Sequence, residues 1–227
     1  MKEDRHYKLT DETIEFDGHI LHRIICTESF RNIGKGILGG FVEGYENLYD
    51  EAWVGDEAKV YDGALIDGQA FVTNNACVSH YARISDKAVV GGKASVSGDT
   101  VFIGGNVRIY GSVIVRSSSN FRLTIKGPIC IDGNAVIESD LDYIVFKNWW
   151  SSGRYFTWTR SNDMWRVGCF YGTGKELIAK AYKDSEVSGR EYERVVKYVE
   201  SIKKADKPTI FQRLKKLFCT TYDLSIN

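Results

Sequence analysis

Residues 52–98 read AWVGDEAKVYDGALIDGQAFVTNNACVSHYARISDKAVVGGKASVSG, and one pattern runs through them without a slip. A small residue and a branched one, separated by a single position, return in every hexad: Ala52/Val54, Ala58/Val60, Ala64/Ile66, Ala70/Val72, Ala76/Val78, Ala82/Ile84, Ala88/Val90 and Ala94/Val96. Two apolar positions around one outward position make the alternation of a short strand, so the rest of each hexad must turn a corner. Its last residue is in turn Asp56, Asp62, Gly68, Asn74, His80, Asp86, Gly92 and Gly98. All but His80 are the residue types that enter a left-handed backbone at least cost, and histidine tolerates it. Three strands and three corners close a triangular coil of three hexads. After one extra residue near Asp99 the pattern resumes at Val101/Ile103, Val107/Ile109 and Val113/Val115. It breaks again over 117–122 and returns at Leu123/Ile125, Ile129/Ile131 and Ala135/Ile137. These fourteen hexads predict four to five coils, and at about 4.8 Å per coil a prism roughly 22 Å long.

This pattern resembles the hexapeptide-repeat left-handed parallel β-helix, and the likeness covers residues 52–139. Outward positions three hexads apart stack on one face, so Trp53, Phe71 and Val89 form an apolar ladder, while Lys59, Cys77 and Ser95 form the next column. A solvated face does not favour a Trp-Phe-Val ladder. The expectation is therefore an interface there, with a symmetry mate or with the C-terminal module.

Composition agrees with a soluble repeat and excludes other classes. The chain has 227 residues, 30 basic and 30 acidic, 43% hydrophobic, with 22 glycines against two prolines. The charge balance argues against a protein that coats DNA or a polybasic membrane protein. No apolar run reaches the ~18 residues of a membrane span, and Met1–Thr10 lacks the apolar run of a signal peptide. Five cysteines, Cys26, Cys77, Cys130, Cys169 and Cys219, are scattered without metal-ligand spacing. Free thiols in a reducing cytosolic compartment are the expectation.

A solenoid must cover its raw backbone ends. Residues 12–16 and 19–25 flank Asp17-Gly18, a two-residue hairpin signal, so 1–50 reads as an N-terminal hairpin cap and 51–140 as the solenoid. Three segments, Leu9–Ile14, Leu21–Ile24 after Gly18, and Gly36–Glu43, together resemble the opening of a family of bacterial and phage hexapeptide-repeat proteins. Members are largely uncharacterised and are described as polymer-forming or transferase-like from repeat content. This chain departs from that family in having Phe41 where tryptophan is usual and the polar run Thr27-Glu-Ser29.

Past Leu141 the hexads stop, and four of the five tryptophans fall between Trp149 and Trp165. Two strands, 154–160 and 164–170, are predicted around Ser161–Asp163. Two helices follow, each opened by a capping box, Thr173 with Glu176 and Ser188 with Glu191. This makes 141–205 a small α+β module, and Gly168–Thr173 resembles the closing GCFxGT element of the same family. Residues 206–227 read as a basic amphipathic tail helix, with Ile210, Phe211, Leu214, Leu217 and Phe218 on one side and Arg213, Lys215 and Lys216 on the other. Packing on the protein's own surface or on another subunit is favoured for it over an anionic membrane.

The candidate chemistry is sparse. Relatives of the fold include acyltransferases with a histidine general base between subunits. That resemblance makes His80, the only histidine in the repeats, the sole catalytic candidate, against its reading as a corner residue. The leading hexads carry no acceptor-shielding insertion, which weighs against the enzyme. A zinc site of the carbonic-anhydrase type is excluded, because His6, His19 and His22 all lie in the cap; no metal and no cofactor are expected. Gly91-Gly92 and Gly104-Gly105 read as corners rather than a phosphate cradle. In the hairpin, Trp149, Trp150, Arg154, Tyr155, Trp158, Arg160, Trp165 and Arg166 interleave rings with guanidinium groups. This suits stacking on nucleobases, but a role in the module's own core is favoured, with Trp158 and Trp165 buried. The preferred reading is a non-catalytic homotrimeric structural or binding protein of phage or prophage type. Its stem presents a C-terminal recognition module, through Arg154, Trp158, Arg160, Trp165 and Arg166, to a host or defence protein. The alternatives are an acyltransferase using His80 and a sequestering protein for nucleotide-like ligands or nucleic acid.

Overall fold

The computed structural model describes residues 5–117 and 122–205. The chain is mainly β: a parallel solenoid of about five turns, with an antiparallel sheet and two helices after it. It divides into two compact units, 1–173 and 174–227, so the terminal sheet belongs to the unit that contains the solenoid. The tail read as a basic helix, 206–227, lies outside the described residues.

Each predicted solenoid strand is present, most of them very short, and each stacks in parallel on its counterpart one turn away. Trp53 pairs with Phe71 and Phe71 with Val89, in each case three hexads along the chain. Past the extra residue at Asp99 the spacing lengthens by one position, as in Val89–Arg108. Past the break after Ser117 it lengthens again, as in Arg108–Cys130. The insertions fall at corners and leave the inward columns in register. From Ala52 to Val96 every inward Ala, Val and Ile is fully buried. The interior is narrow, so alternate alanines let the three walls approach and the branched residues fill what remains.

All eight corner positions from Asp56 to Gly98 have positive φ, including His80 at 54°. The corners are tied together in the stacking direction by side chains as well as backbone. Asp50 accepts from the Gly68 amide at 3.0 Å. Asp56 accepts from Thr73 Oγ1 at 2.6 Å and from the Asn74 amide at 2.9 Å. Asn74 in turn accepts from Gly92 at 3.0 Å, and Asp86 from Gly105 at 2.7 Å. Aspartate and asparagine thus serve twice, adopting the left-handed corner and satisfying an amide of the next turn.

The two ends are closed differently. Strands Tyr7–Phe16 and His19–Cys26 form the predicted hairpin, and strand Leu38–Val42 continues from it to pair in parallel with the first turn. Gly39 and Gly40 allow this: a Cβ at Gly39 would lie 2.5 Å from both Ile24 and the Val54 carbonyl, and one at Gly40 2.5 Å from the Ala58 carbonyl. Arg23 locks the outside, lying 4.2 Å over the Phe41 ring and pairing with Glu12 and Glu57 at 2.8 and 3.0 Å.

At the far end a four-stranded antiparallel sheet is built from Tyr143–Lys147, Tyr155–Thr159, Met164–Val167 and Phe170–Gly172. The first of these was not foreseen, because its run Tyr-Ile-Val-Phe-Lys continues the apolar texture of the solenoid. Tyr143 and Val145 pack on the solenoid core. Polar ties add to this: Ser161 Oγ accepts from the Val136 amide at 2.7 Å, and Arg166 faces Asp132 at 3.4 Å. In the second unit, helices Gly174–Asp184 and Glu186–Ala205 bury Leu177, Ala181, Tyr192, Val196 and Val199. The second helix begins at Glu186, ahead of the predicted cap at Ser188.

The hydrogen bonds from Thr73 and the Asn74 amide hold Asp56 below the ordinary 3.8. Its contribution to stability is therefore complete above about pH 3.8 and is lost as pH falls through the lowered value. Asp56→Ala is expected to cost about 1–2 kcal/mol at neutral pH, combining lost acceptors with a left-handed alanine. In urea titrations the gap from the parent protein should shrink in acid.

Candidate functional site

One cluster of titratable side chains lies at the corner where the N-terminal hairpin meets the turns carrying Asp62 and His80. The corners there are two-residue left-handed turns, Asp62-Gly63 with φ of 53° and 69° and His80-Tyr81 with φ of 54° and 56°. Aspartate-glycine suits such a turn, whereas tyrosine in its second position carries about 1–2 kcal/mol of backbone strain. The Tyr81 ring is exposed and lies against Gly63, where a Cβ would come within 2.4 Å of it.

His80 has a neighbour beside each ring nitrogen, on a side chain that is 56% exposed. Nδ1 lies 2.9 Å from Ser79 Oγ, and Nε2 3.4 Å from Asp62 Oδ2. The imidazole borders an open depression of about 300 Å³ with Ser97, Gly98, Asp99, Arg116 and Ser117. Arg116 is itself engaged with Glu138, at 2.7 Å through both Nε and Nη2. A second depression of about 430 Å³ lies at the Asp86 corner, bordered by Lys87 and Asn106.

Beneath His80 the network continues into the cap. Glu43 receives His19 Nδ1 on one oxygen at 2.8 Å and the Asp62 amide on the other at 2.7 Å. The hydrogen bond to Glu43 raises His19 above its ordinary value. Partial burial pushes Glu43 up, but the bonds from His19 and Asp62 outweigh it and leave the carboxyl lowered. Tyr61 donates to Asp17 at 3.1 Å, with the Cys77 thiol 3.8 Å from its hydroxyl. Burial raises both the phenol and the thiol, so Cys77 is a poor nucleophile. Among the described residues no three His, Cys, Asp or Glu side chains are grouped to hold a metal. Nor is any described helix long and apolar enough to cross a membrane.

The ladder face is covered in part from a direction not foreseen. Trp53 is buried by the N-terminal segment, edge-on to Phe30 at 5.8 Å, with Phe30 against His6 at 3.7 Å. Phe71 and Val89 above it are half-buried, and the column then continues as the exposed Arg108.

The aromatic hairpin separates into two sets. Trp158 and Trp165 are buried and paired across adjacent strands. Trp158 donates from Nε1 to Asp163 at 2.9 Å. Arg160 donates to the Leu141 carbonyl at 2.9 Å and lies 5.8 Å over the Trp158 ring, while Arg166 faces the solenoid at Asp132. Arg154 is exposed, together with Lys147, Trp149 and Tyr155. The five residues singled out from the sequence are thus not one surface. Sequence reasoning gave no weight to Lys147 or Tyr81; for Tyr81 the signal was present, a tyrosine where the preceding turn has Gly63.

No family model matches the chain, and no curated protein matches it.

The His19–Glu43 pair sets a pH window for the cap. Raised His19 contributes below its ordinary 6.5 and loses that contribution as pH rises through the folded value; lowered Glu43 contributes above 4.5 and loses it as pH falls. Protection of the 7–26 hairpin in hydrogen exchange, corrected for the intrinsic rate, should therefore be greatest between about pH 4.5 and 6.5. His19→Ala should flatten that profile.

Proposed function

We propose that this protein is a non-catalytic homotrimeric scaffold of the left-handed hexapeptide-repeat type, from a phage or prophage setting. Its stem presents the C-terminal sheet to a host or defence component in the bacterial cytoplasm. The observation that carries the non-catalytic part is the state of His80. Ser79 and Asp62 of the same chain lie beside its ring nitrogens, which suits a structural tie between turns, and the turns carrying Asp62 and His80 have no insertion to shelter an acceptor for a general base. The ring acts as a corner clasp, in the position that Asp and Asn fill elsewhere. Half-buried Phe71 and Val89 on a flat wall support association of copies through that wall.

A second reading, an acyltransferase using His80, is favoured only by the depression of about 300 Å³ beside the ring. In native mass spectrometry we expect a trimer without a coenzyme-sized passenger, and Phe71→Glu is expected to shift it to smaller species. A monomer would overturn the trimer. Acetyl-coenzyme A turnover that His80→Ala abolishes would overturn the scaffold in favour of the enzyme.

A further inference from the structure

We propose that the hairpin tip at 147–155 is a docking site for single-stranded nucleic acid, with Trp149 as the base-stacking platform and Lys147 and Arg154 as phosphate contacts. This rests on the reading of the terminal sheet as the recognition element.

Trp149 is the most exposed large apolar side chain among the described residues, at 73%. It is also held in place. The Asn148 amide donates to the Arg154 carbonyl at 2.8 Å, and the Gly153 amide to the Asn148 carbonyl at 2.7 Å, with Gly153 at φ 67° to close the loop. Behind Trp149 stands Trp150, perpendicular to it at 5.9 Å. Trp150 packs edge-on to buried Phe156 at 6.1 Å, which in turn stacks on Phe146 at 5.4 Å. The exposed indole therefore sits on a chain of rings rooted in the sheet, and little ordering is needed before a base can stack on it.

Charge selects among planar partners. The stretch KNWWSSGRY, residues 147–155, holds two cations and no carboxylate in a chain whose overall charge is zero. Lys147 Nζ lies 5.9 Å over the half-exposed Tyr155 ring, beside the same tip. A protein partner bound through a tryptophan anchor calls for an apolar surround at the interface core, and this stretch supplies no aliphatic side chain. Exposed π-faces flanked by cations are the arrangement that takes bases and phosphates together without reading sequence.

The test uses the full chain and labelled oligouridylate and oligothymidylate of about ten nucleotides, followed by fluorescence anisotropy across a salt series. The expected result is binding at low salt that Trp149→Ala weakens about tenfold or more, with the melting temperature unchanged. Trp149→Phe should restore part of it. Lys147→Ala with Arg154→Ala should reduce the slope of log affinity against log salt by about 1.4, the value for two phosphate contacts on a single strand. Absence of binding to either oligonucleotide at low salt would overturn the proposal. So would binding that Trp149→Ala leaves unchanged, or a protein partner lost in that variant when neither oligonucleotide binds. None of these outcomes alters the subunit count or the acetyl-coenzyme A result, so failure here is distinguishable from failure of the scaffold reading.

Discussion

Everything in the first unit depends on the close approach of three short-stranded walls around a core too narrow for large side chains. That approach works only if each turn of backbone lies directly on the last, at the ordinary hydrogen-bonding distance between strands. The inward positions then have to be small or compactly branched, and the corners have to be sharp. Sharp corners demand a left-handed residue, as at every corner from Asp56 to Gly98. Aspartate and asparagine supply it at Asp50, Asp56, Asn74 and Asp86, and their side chains also capture an amide of the following turn. Glycine supplies it where two turns approach too closely for a Cβ, as at Gly92 against Gly111.

The same constraint explains how the solenoid absorbs irregularity. An inserted residue inside a strand would turn every later side chain to the wrong face. Inserted at a corner, as at Asp99, it lengthens the loop and leaves Val101 and Ile103 on the inward columns. Departures from the pattern therefore gather at the column that holds His80, Gly98 and Ser117, and so does the depression there. Its polar partners form a brace between the hairpin cap and the repeats, running from His19 through Glu43 to Asp62 and His80. Within it the His19–Glu43 pair is the part that titrates with the cap.

At the other end the sheet at 143–172 performs two tasks with opposite faces of its strands. Tyr143 and Val145 cover the last turn of the solenoid, while the alternate positions Ile144 and Phe146 pair across the strands with Trp158 and Phe156. With Phe156, Trp158 and Trp165 buried, Trp149 in the loop between the first two strands and Tyr155 beside it are the exposed rings of this sheet.

The repeat, its corner residues, its register shift at Asp99 and the Asp17-Gly18 hairpin were all legible in the chain. Each is a local matter of backbone conformation and of alternation between inside and outside. The strand Tyr143–Lys147 was not, because an apolar run has no periodicity to distinguish a last solenoid strand from the first strand of a new sheet. Residue order did mark Trp158 and Trp165 as the rings to bury, and both are buried, but it could not say that Trp149 would be left in solvent. Trp149 and Trp158 look alike in composition, and only pairing with Ile144 and Trp165 buries the latter. The same holds for Trp53, whose cover comes from Phe30 in the N-terminal segment. Sequence alone determined a coil of three hexads and where it turns, because those depend on neighbours in the chain. Which surfaces remain for a partner was decided only by tertiary structure, because exposure depends on residues brought together from distant positions.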